Sequence, residues 1–401
     1  MSNNYGGIIK LNRIQQNMKL EYLAKRLGMT KGQLSRIERN KENVSLENVK
    51  KAFESLEIVF FDKDIEKEFE EDFLTYYLDF VYERNYESSY HKIESYQAII
   101  KGTTSYVKYL VAQMMYHFLK YTSDITEYLY LKDYFLYLES YQIQIFYDIL
   151  LGYYSSKNLY DEALNYGVMG LNYNGNTYST VMLHYHIAKA YMYYGEQSKA
   201  LEYSLKAKNI FCDTLNLKRL TETFQMLSMI YKNIGDYQKA EETNLRCIQA
   251  FKNLNMTREI GQIYNNLLWT YIFSKQYLKV IEYKDNALES RNHDHCIYFY
   301  LSFASYKLGN IKEAKQYIKE AKQRMNQPTK YMEAMIQAFS VYLSDSQYER
   351  KEKYLLKVKN VAKESQQKDI QIFSVSLLKE FYEENQQIEK AYECANQLIK
   401  L

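Results

Sequence analysis

A single proline, Pro328, and thirteen glycines in 401 residues leave this chain little turn punctuation. Sheets and long loops need more of both, so the sequence reads as all-α. Four cysteines (Cys212, Cys247, Cys296, Cys394) are scattered without CxxC spacing. That excludes a disulfide framework and predicts reduced thiols in a cytoplasmic protein. The opening MSNNYGG has no basic segment followed by an apolar one, so no secretory signal is expected. The most apolar stretch, Tyr106 to Leu119, is interrupted by Lys108, Gln113 and His117, which rules it out as a membrane span.

What is present is a large apolar and aromatic complement: 47% hydrophobic residues, 16% aromatics and 45 tyrosines. This is ample for a buried core and excludes wholesale disorder. The formal net charge is only +3, but it is unevenly spread. Residues 8–56 carry eleven basic side chains against five acidic ones, a local balance of +6, so the rest of the chain is mildly acidic. A basic head on an acidic body is the electrostatic footprint of a domain that approaches phosphates.

The head has a legible helical pattern. Ile9, Leu11, Ile14 and Met18 suggest a first amphipathic helix, and Leu20 to Leu27 a short second one, with Leu23 and Leu27 inward and Ala24 at a close approach. Gly28 stands where that helix must stop and the backbone needs positive φ. Thr30-x-x-Gln33 fits a capping box opening a third helix anchored by Leu34 and Ile37. Ser45 is placed to cap a fourth, with Leu46, Val49, Phe53 and Leu56 closing the core.

Residues 8–56 resemble the Xre/Cro/C1-type helix-turn-helix domain, through L23-A24-K25-R26-L27-G28-M29-T30 and L34-S35-R36-I37-E38-R39-N40. The resemblance implies double-stranded operator DNA as partner, with the third helix in the major groove. Lys31, Gly32 and Arg36 would face base edges and Gln33 a phosphate, while Arg39, Asn40 and Lys41 would meet the backbone. Arg36 suits a bidentate pair with guanine. Arg13 and Glu38 fall where the family places a structural ion pair. Two positions depart from the pattern. Leu20 replaces the usual polar residue opening the second helix, and Gly32 offers no side chain at a reading position, which favours readout of DNA shape.

The rest of the chain repeats. Segments 188–207, 228–247, 268–287 and 302–321 align at intervals of 40, 40 and 34 residues. A turn position recurs at Gly195, Gly235, Lys275 and Gly309, followed five residues later by Ala200, Ala240, Val280 and Ala314. An earlier copy covers Leu151–Gly170, with Tyr154, Tyr160 and Ala163 in register, and weaker copies end near Tyr96, Ala362 and Ala391. The pattern of aromatic, turn glycine, tyrosine and alanine resembles the tetratricopeptide repeat. Each hairpin leaves one apolar face open, so hairpins must stack, here into a right-handed α-solenoid.

In repeat register, the first helix of each hairpin would present Met182, Tyr185, Lys189 and Met192, then Gln225, Met229 and Lys232, then Gln262, Asn265 and Trp269, then Phe299 and Phe303, to a concave face. Amides suit an extended peptide backbone and aromatics suit its side-chain pockets. Asn265 and Asn266 sit mid-helix, where asparagine is a poor helix former. Head plus array resembles the RRNPP family of regulators. That resemblance implies a homodimer whose repeats bind a short signalling peptide and thereby control DNA binding, with residues 1–60 as head, 61–72 as connector and 73–401 as sensing and dimerisation domain. The alternative is a scaffold or regulator whose array docks another protein.

Catalysis finds little support in the sequence, and no cofactor is expected. Tyr5-Gly6-Gly7 is the nearest thing to a phosphate loop, but it precedes neither a strand nor Lys-Ser/Thr. His293-Asp294-His295-Cys296 is the one cluster of metal-ligand types, and it reads as a loop and helix start at a hairpin junction.

Overall fold

A computed structural model describes residues 4–60, 63–252, 257–290, 294–364 and 368–400. Among these residues every regular element is helical, as the scarcity of proline and glycine requires. The head contains α1 (Gly6–Gln15), α2 (Leu20–Arg26), α3 (Lys31–Glu38) and α4 (Leu46–Ser55). After it come α5 (Lys63–Val81), α6 (Tyr86–Ser95) and α7 (Tyr106–Lys120), then a run of tight helical turns over Ile125–Tyr137. The hairpin α8 (Ser140–Ser156) and α9 (Tyr160–Leu171) follows, then α10 (Thr177–Tyr194).

Next are α11 (Gln197–Asp213), α12 (Leu217–Asn233), α13 (Tyr237–Lys252) and α14 (Thr257–Phe273). The helix after α14 is divided at Tyr283 into α15 (Tyr277–Glu282) and α16 (Lys284–Ser290). Three further hairpins complete the chain: α17 (His295–Lys307) with α18 (Ile311–Gln323), α19 (Lys330–Tyr342) with α20 (Tyr348–Glu364), and α21 (Lys368–Glu384) with α22 (Ile388–Lys400). The chain forms two compact units, one ending at Ala190 and one beginning at Tyr191. α5 runs unbroken through residue 72; residues 61 and 62 of the expected connector lie outside the described residues.

The head folds around Ile9, Leu11, Leu23, Ala24, Leu34, Ile37, Val49, Phe53 and Leu56, all nearly or fully buried. Each such side chain contributes roughly 1.5–3 kcal/mol on leaving water, less for Ala24. Thr30 and Gln33 form the expected reciprocal capping box on α3, Ser45 accepts the Asn48 amide to cap α4, and Gly28 has φ +65°. Two expectations fail. α1 stops at Gln15, so Met18 lies beyond it and Ile14 is exposed; Leu46, at the exposed start of α4, does not reach the core.

The repeat register is visible in the backbone. Gly195, Gly235, Lys275 and Gly309 all have positive φ, and so do Asn158 and Gln386, the matching positions of the Leu151–Gly170 copy and of the last copy. Five residues on, Ala163, Ala200, Ala240, Val280, Ala314 and Ala391 are buried. There one helix crosses its partner closely enough for a serine to reach the opposing backbone. Ser302 Oγ donates to the Ala314 carbonyl at 2.7 Å, and Asn244 Nδ2 donates to Ser228 Oγ at 2.7 Å.

The turn position makes the repeat testable by exchange. Left-handed backbone costs a non-glycine residue about 1 kcal/mol. Gly309→Ala should therefore destabilise the second unit by about that amount, and Lys275→Gly should be neutral to stabilising, as read by urea denaturation.

Candidate DNA interface and inner face

The head is built on one buried ion pair. Arg13 on α1 donates from Nε to Glu38 Oε1 at 2.7 Å and from a terminal nitrogen to Glu38 Oε2 at 2.8 Å, fixing α1 against α3. The hydrogen bond to Glu38 raises the Arg13 pKa above its ordinary value despite burial. A third bond from Arg13 to the Met18 carbonyl ties in the loop before α2.

α3 presents its outer face to solvent. Lys31 is exposed and pairs with Glu21 at 2.5 Å; Arg36 is exposed and pairs with Glu42 at 2.8 Å. Such exposed pairs are worth little and exchange readily for phosphate or base edges. Gly32 is exposed, and a Cβ there would meet nothing closer than 3.8 Å. The Gln33 side chain is occupied by the capping box. Arg39 is exposed, bonded to Ser35 of its own helix, and Lys41 is exposed beyond it.

Asn40 faces inward instead. At φ +53° it ends α3, and its Nδ2 donates to the Tyr137 hydroxyl at 3.1 Å. The same hydroxyl accepts the Gly7 amide at 3.0 Å and donates to the Asn4 carbonyl at 2.5 Å. A Cβ on Gly7 would lie 2.5 Å from that hydroxyl, and one on Gly6 would lie 1.8 Å from the Ile37 carbonyl. The paired glycines therefore serve close packing. Further ties join the head to the helices after it. Asn12 Nδ2 donates to the Lys101 carbonyl at 2.9 Å, the Tyr106 hydroxyl donates to Gln15 at 2.6 Å, and Lys10 lies 5.8 Å from the Tyr134 ring centre. Tyr137 and its partners escaped sequence reasoning because the contact spans 130 residues and follows no repeat period.

In the first unit, Tyr185 and Met182 are buried and Lys189 is exposed; Met192, at the start of the second, is buried. Within the second unit, the expected inner-face residues do converge. The Gln225 amide donates to Gln262 at 3.1 Å, Met229 is half-buried, and Asn265 Oδ1 is buried with no partner among the described residues. Trp269 stacks on Tyr300 and packs against Phe273 and Phe373, with ring centres 5.0–5.3 Å apart.

Part of this face is covered by another helix of the chain. Phe299 and Phe303 are 0% and 4% exposed, and Lys232 is 6% exposed. They are covered by α21, whose Asp369, Phe373, Glu380 and Glu384 lie along one side at helical spacing. Phe373 contacts Trp269, Phe299 and Phe303. Lys232 donates to Asp369 Oδ2 at 2.6 Å, Lys307 to Glu380 at 2.6 Å, and Tyr342 to Glu384. Burial alone would raise the Asp369 pKa, but the Lys232 charge and the Trp269 and Ile370 N–H groups hold it below its ordinary value.

His186 is bonded to Asp148 at 2.8 Å. Asp294 caps α17 by accepting the Cys296 amide at 2.8 Å, and the ligand atoms of Asp294, His295 and Cys296 lie within 4.8 Å of one another. His293 of that cluster lies outside the described residues. No helix among the described residues is long and apolar enough to cross a membrane.

Fold and surfaces together define a helix-turn-helix domain joined to tetratricopeptide-like helical hairpins. Residues 9–58 match the sequence family described as "Helix-turn-helix". A Geobacillus stearothermophilus protein named transcriptional activator NprA is 25% identical over 261 residues, 61% of this chain and 63% of that protein. The match thus spans less than two thirds of that relative's own length. Among solved structures, apo RapI aligns with a TM-score of 0.68 at 15% identity, over 84% of this chain and 97% of its own. The apo quorum sensor NprR from B. thuringiensis aligns at 0.61 and 15%, over 84% and 99%. NprR in complex with its cognate peptide NprX aligns at 0.53.

The ion pairs of the head separate structure from surface. Arg13→Ala should cost about 3–5 kcal/mol by leaving Glu38 buried and unpaired, whereas Arg36→Ala should leave the melting temperature within a degree or two of wild type. Thermal unfolding of the two variants checks this.

Proposed function

We propose that this chain is a cytoplasmic DNA-binding transcription regulator whose repeat domain binds a short peptide and thereby controls operator binding. Residues 1–60 read DNA, 61–72 connect, and 73–401 sense and dimerise. The observation that carries the DNA half is the exposed face of α3, where Lys31 and Arg36 are held only by exposed ion pairs while the opposite face is fixed by Arg13–Glu38. Support for the sensing half comes from the convergence of Gln225, Gln262, Asn265 and Trp269 on one inner face. The peptide-bound NprR structure has this fold, and the curated relative is named a transcriptional activator. We assign the chain no catalytic activity.

In this reading Lys31, Gly32 and Arg36 approach base edges, and Gln33, Arg39 and Lys41 approach phosphates. Asn40 contributes indirectly, by locking the end of α3 to Tyr137. Asn265 Oδ1, a buried acceptor without a donor among the described residues, suits a peptide N–H. α22 leaves Ile388, Tyr392 and Ile399 exposed on one side, the surface assigned to a second copy of the chain.

Operator binding by the purified chain, titrated with synthetic peptides, tests the proposal. One peptide should shift operator affinity at micromolar concentration or below. DNA binding indifferent to every peptide would favour a protein-docking array. Arg36→Ala should weaken specific binding by about 1–3 kcal/mol while retaining weak non-specific binding. Asn265→Ala should blunt the peptide response without altering peptide-free operator affinity; an unchanged dose response removes Asn265 from the site. Tyr137→Phe should leave peptide binding intact and loosen the head, seen as faster hydrogen exchange at the Gly7 amide.

A further inference from the structure

The inner face of the second unit already holds an anion. Lys232 Nζ and Trp269 Nε1, on neighbouring first helices, both donate to the same oxygen, Asp369 Oδ2, at 2.6 and 3.0 Å. Two convergent donors on one carboxylate oxygen, one of them a nearly buried ammonium, form a receptor for carboxylate. The aromatic walls favour the cation as well, since Lys232 Nζ lies 5.2 Å from the Phe273 ring centre and 5.9 Å from that of Trp269. A cavity of about 290 Å³ adjoins the pair. Its lining joins a second ammonium, Lys368, to apolar side chains of Ile234, Tyr237, Phe273 and Ile372. That is room for one large apolar side chain beside a negative charge.

Asp369 arrives from α21, 137 residues along the chain from Lys232. We propose that Asp369 is an internal surrogate ligand, and that the Lys232–Trp269 donors together with the adjoining cavity take a carboxylate next to an apolar side chain, supplied by the peptide. The incoming carboxylate replaces Asp369 and frees the first turn of α21. This rests on reading the inner face as the peptide site and specifies the chemistry of one end of that peptide.

Trp269 is the single tryptophan of the chain, so its fluorescence reports this site directly. The full chain and its Asp369→Asn and Lys232→Gln variants are titrated with N-acetyl-phenylalanine, its amide, and N-acetyl-aspartyl-phenylalaninamide. Asp369→Asn should bind N-acetyl-phenylalanine at least tenfold more tightly than wild type and ignore the amide, and Lys232→Gln should lose the response. Binding of N-acetyl-phenylalanine alone assigns the carboxylate to a peptide C-terminus; binding of the aspartyl compound as well shows that an acidic side chain beside an apolar one serves equally. Should Asp369→Asn fail to fold, Asp369→Ser serves in its place. Equal response to acid and amide, or no gain on removing Asp369, overturns the proposal. If some peptide shifts operator binding but no carboxylate enters here, the surrogate role alone is lost. Carboxylate binding with no peptide effect on operator binding leaves this site standing and removes the functional reading.

Discussion

The close crossing of two helices at a small residue is the constraint on which the helical-hairpin part of the molecule depends. Ala163, Ala200, Ala240, Val280, Ala314 and Ala391 sit at equivalent buried points, each five residues after a left-handed turn. A larger side chain there would separate the hairpin, since interiors tolerate little added volume. Because each crossing sets its hairpin in the same way, the first helices present their inner residues in register. Trp269 of α14 comes beside Lys232 of α12, and Phe303 of α17 beside Phe339 of α19, through repetition of the hairpin.

A repeated hairpin cannot cover its own inner face, and this chain covers part of it with α21. The cover is chemically mixed. Phe373 fills the aromatic centre, while Asp369, Glu380 and Glu384 meet Lys232, Lys307 and Tyr342. Buried ion pairs contribute little net stability over apolar packing but cost several kcal/mol when one partner is removed. Such a cover is specific in register and replaceable only by another group with the right charge. The head follows the same logic on a smaller scale. A buried Arg13–Glu38 pair fixes its scaffold, and one hydroxyl, that of Tyr137, joins three of its backbone and side-chain groups to the helices beyond.

Much of this was legible in the sequence, and for identifiable reasons. Capping boxes, left-handed glycines and ion pairs inside a known pattern are signalled by short spacings, so Thr30, Gln33, Gly28, Arg13 and Glu38 could be placed from residues alone. Repeats announce themselves by period, which gave the turn and crossing positions. Ile14 and Leu46 were misplaced because periodicity does not reveal where a helix end meets solvent. The cover over the inner face is not legible from a hairpin and its neighbours alone. Asp369 and Phe373 lie several hairpins beyond the residues they touch, and no local rule connects them. Their signal was nonetheless present, as a stripe of acids and one aromatic along α21 at spacings of four and seven, matched by lysines at 232 and 307.

In the proposed function the inner face of the second unit senses a ligand and the state of the head responds to it. Hydrogen–deuterium exchange of the full chain, with and without the peptide that shifts operator binding, tests that claim most directly. The account predicts slowed exchange in α12, α14 and α17, faster exchange in the first turn of α21, and a changed rate at the Gly7 amide and along α3. Protection confined to the outer helices of the hairpins, with the head and α21 unchanged, would contradict it.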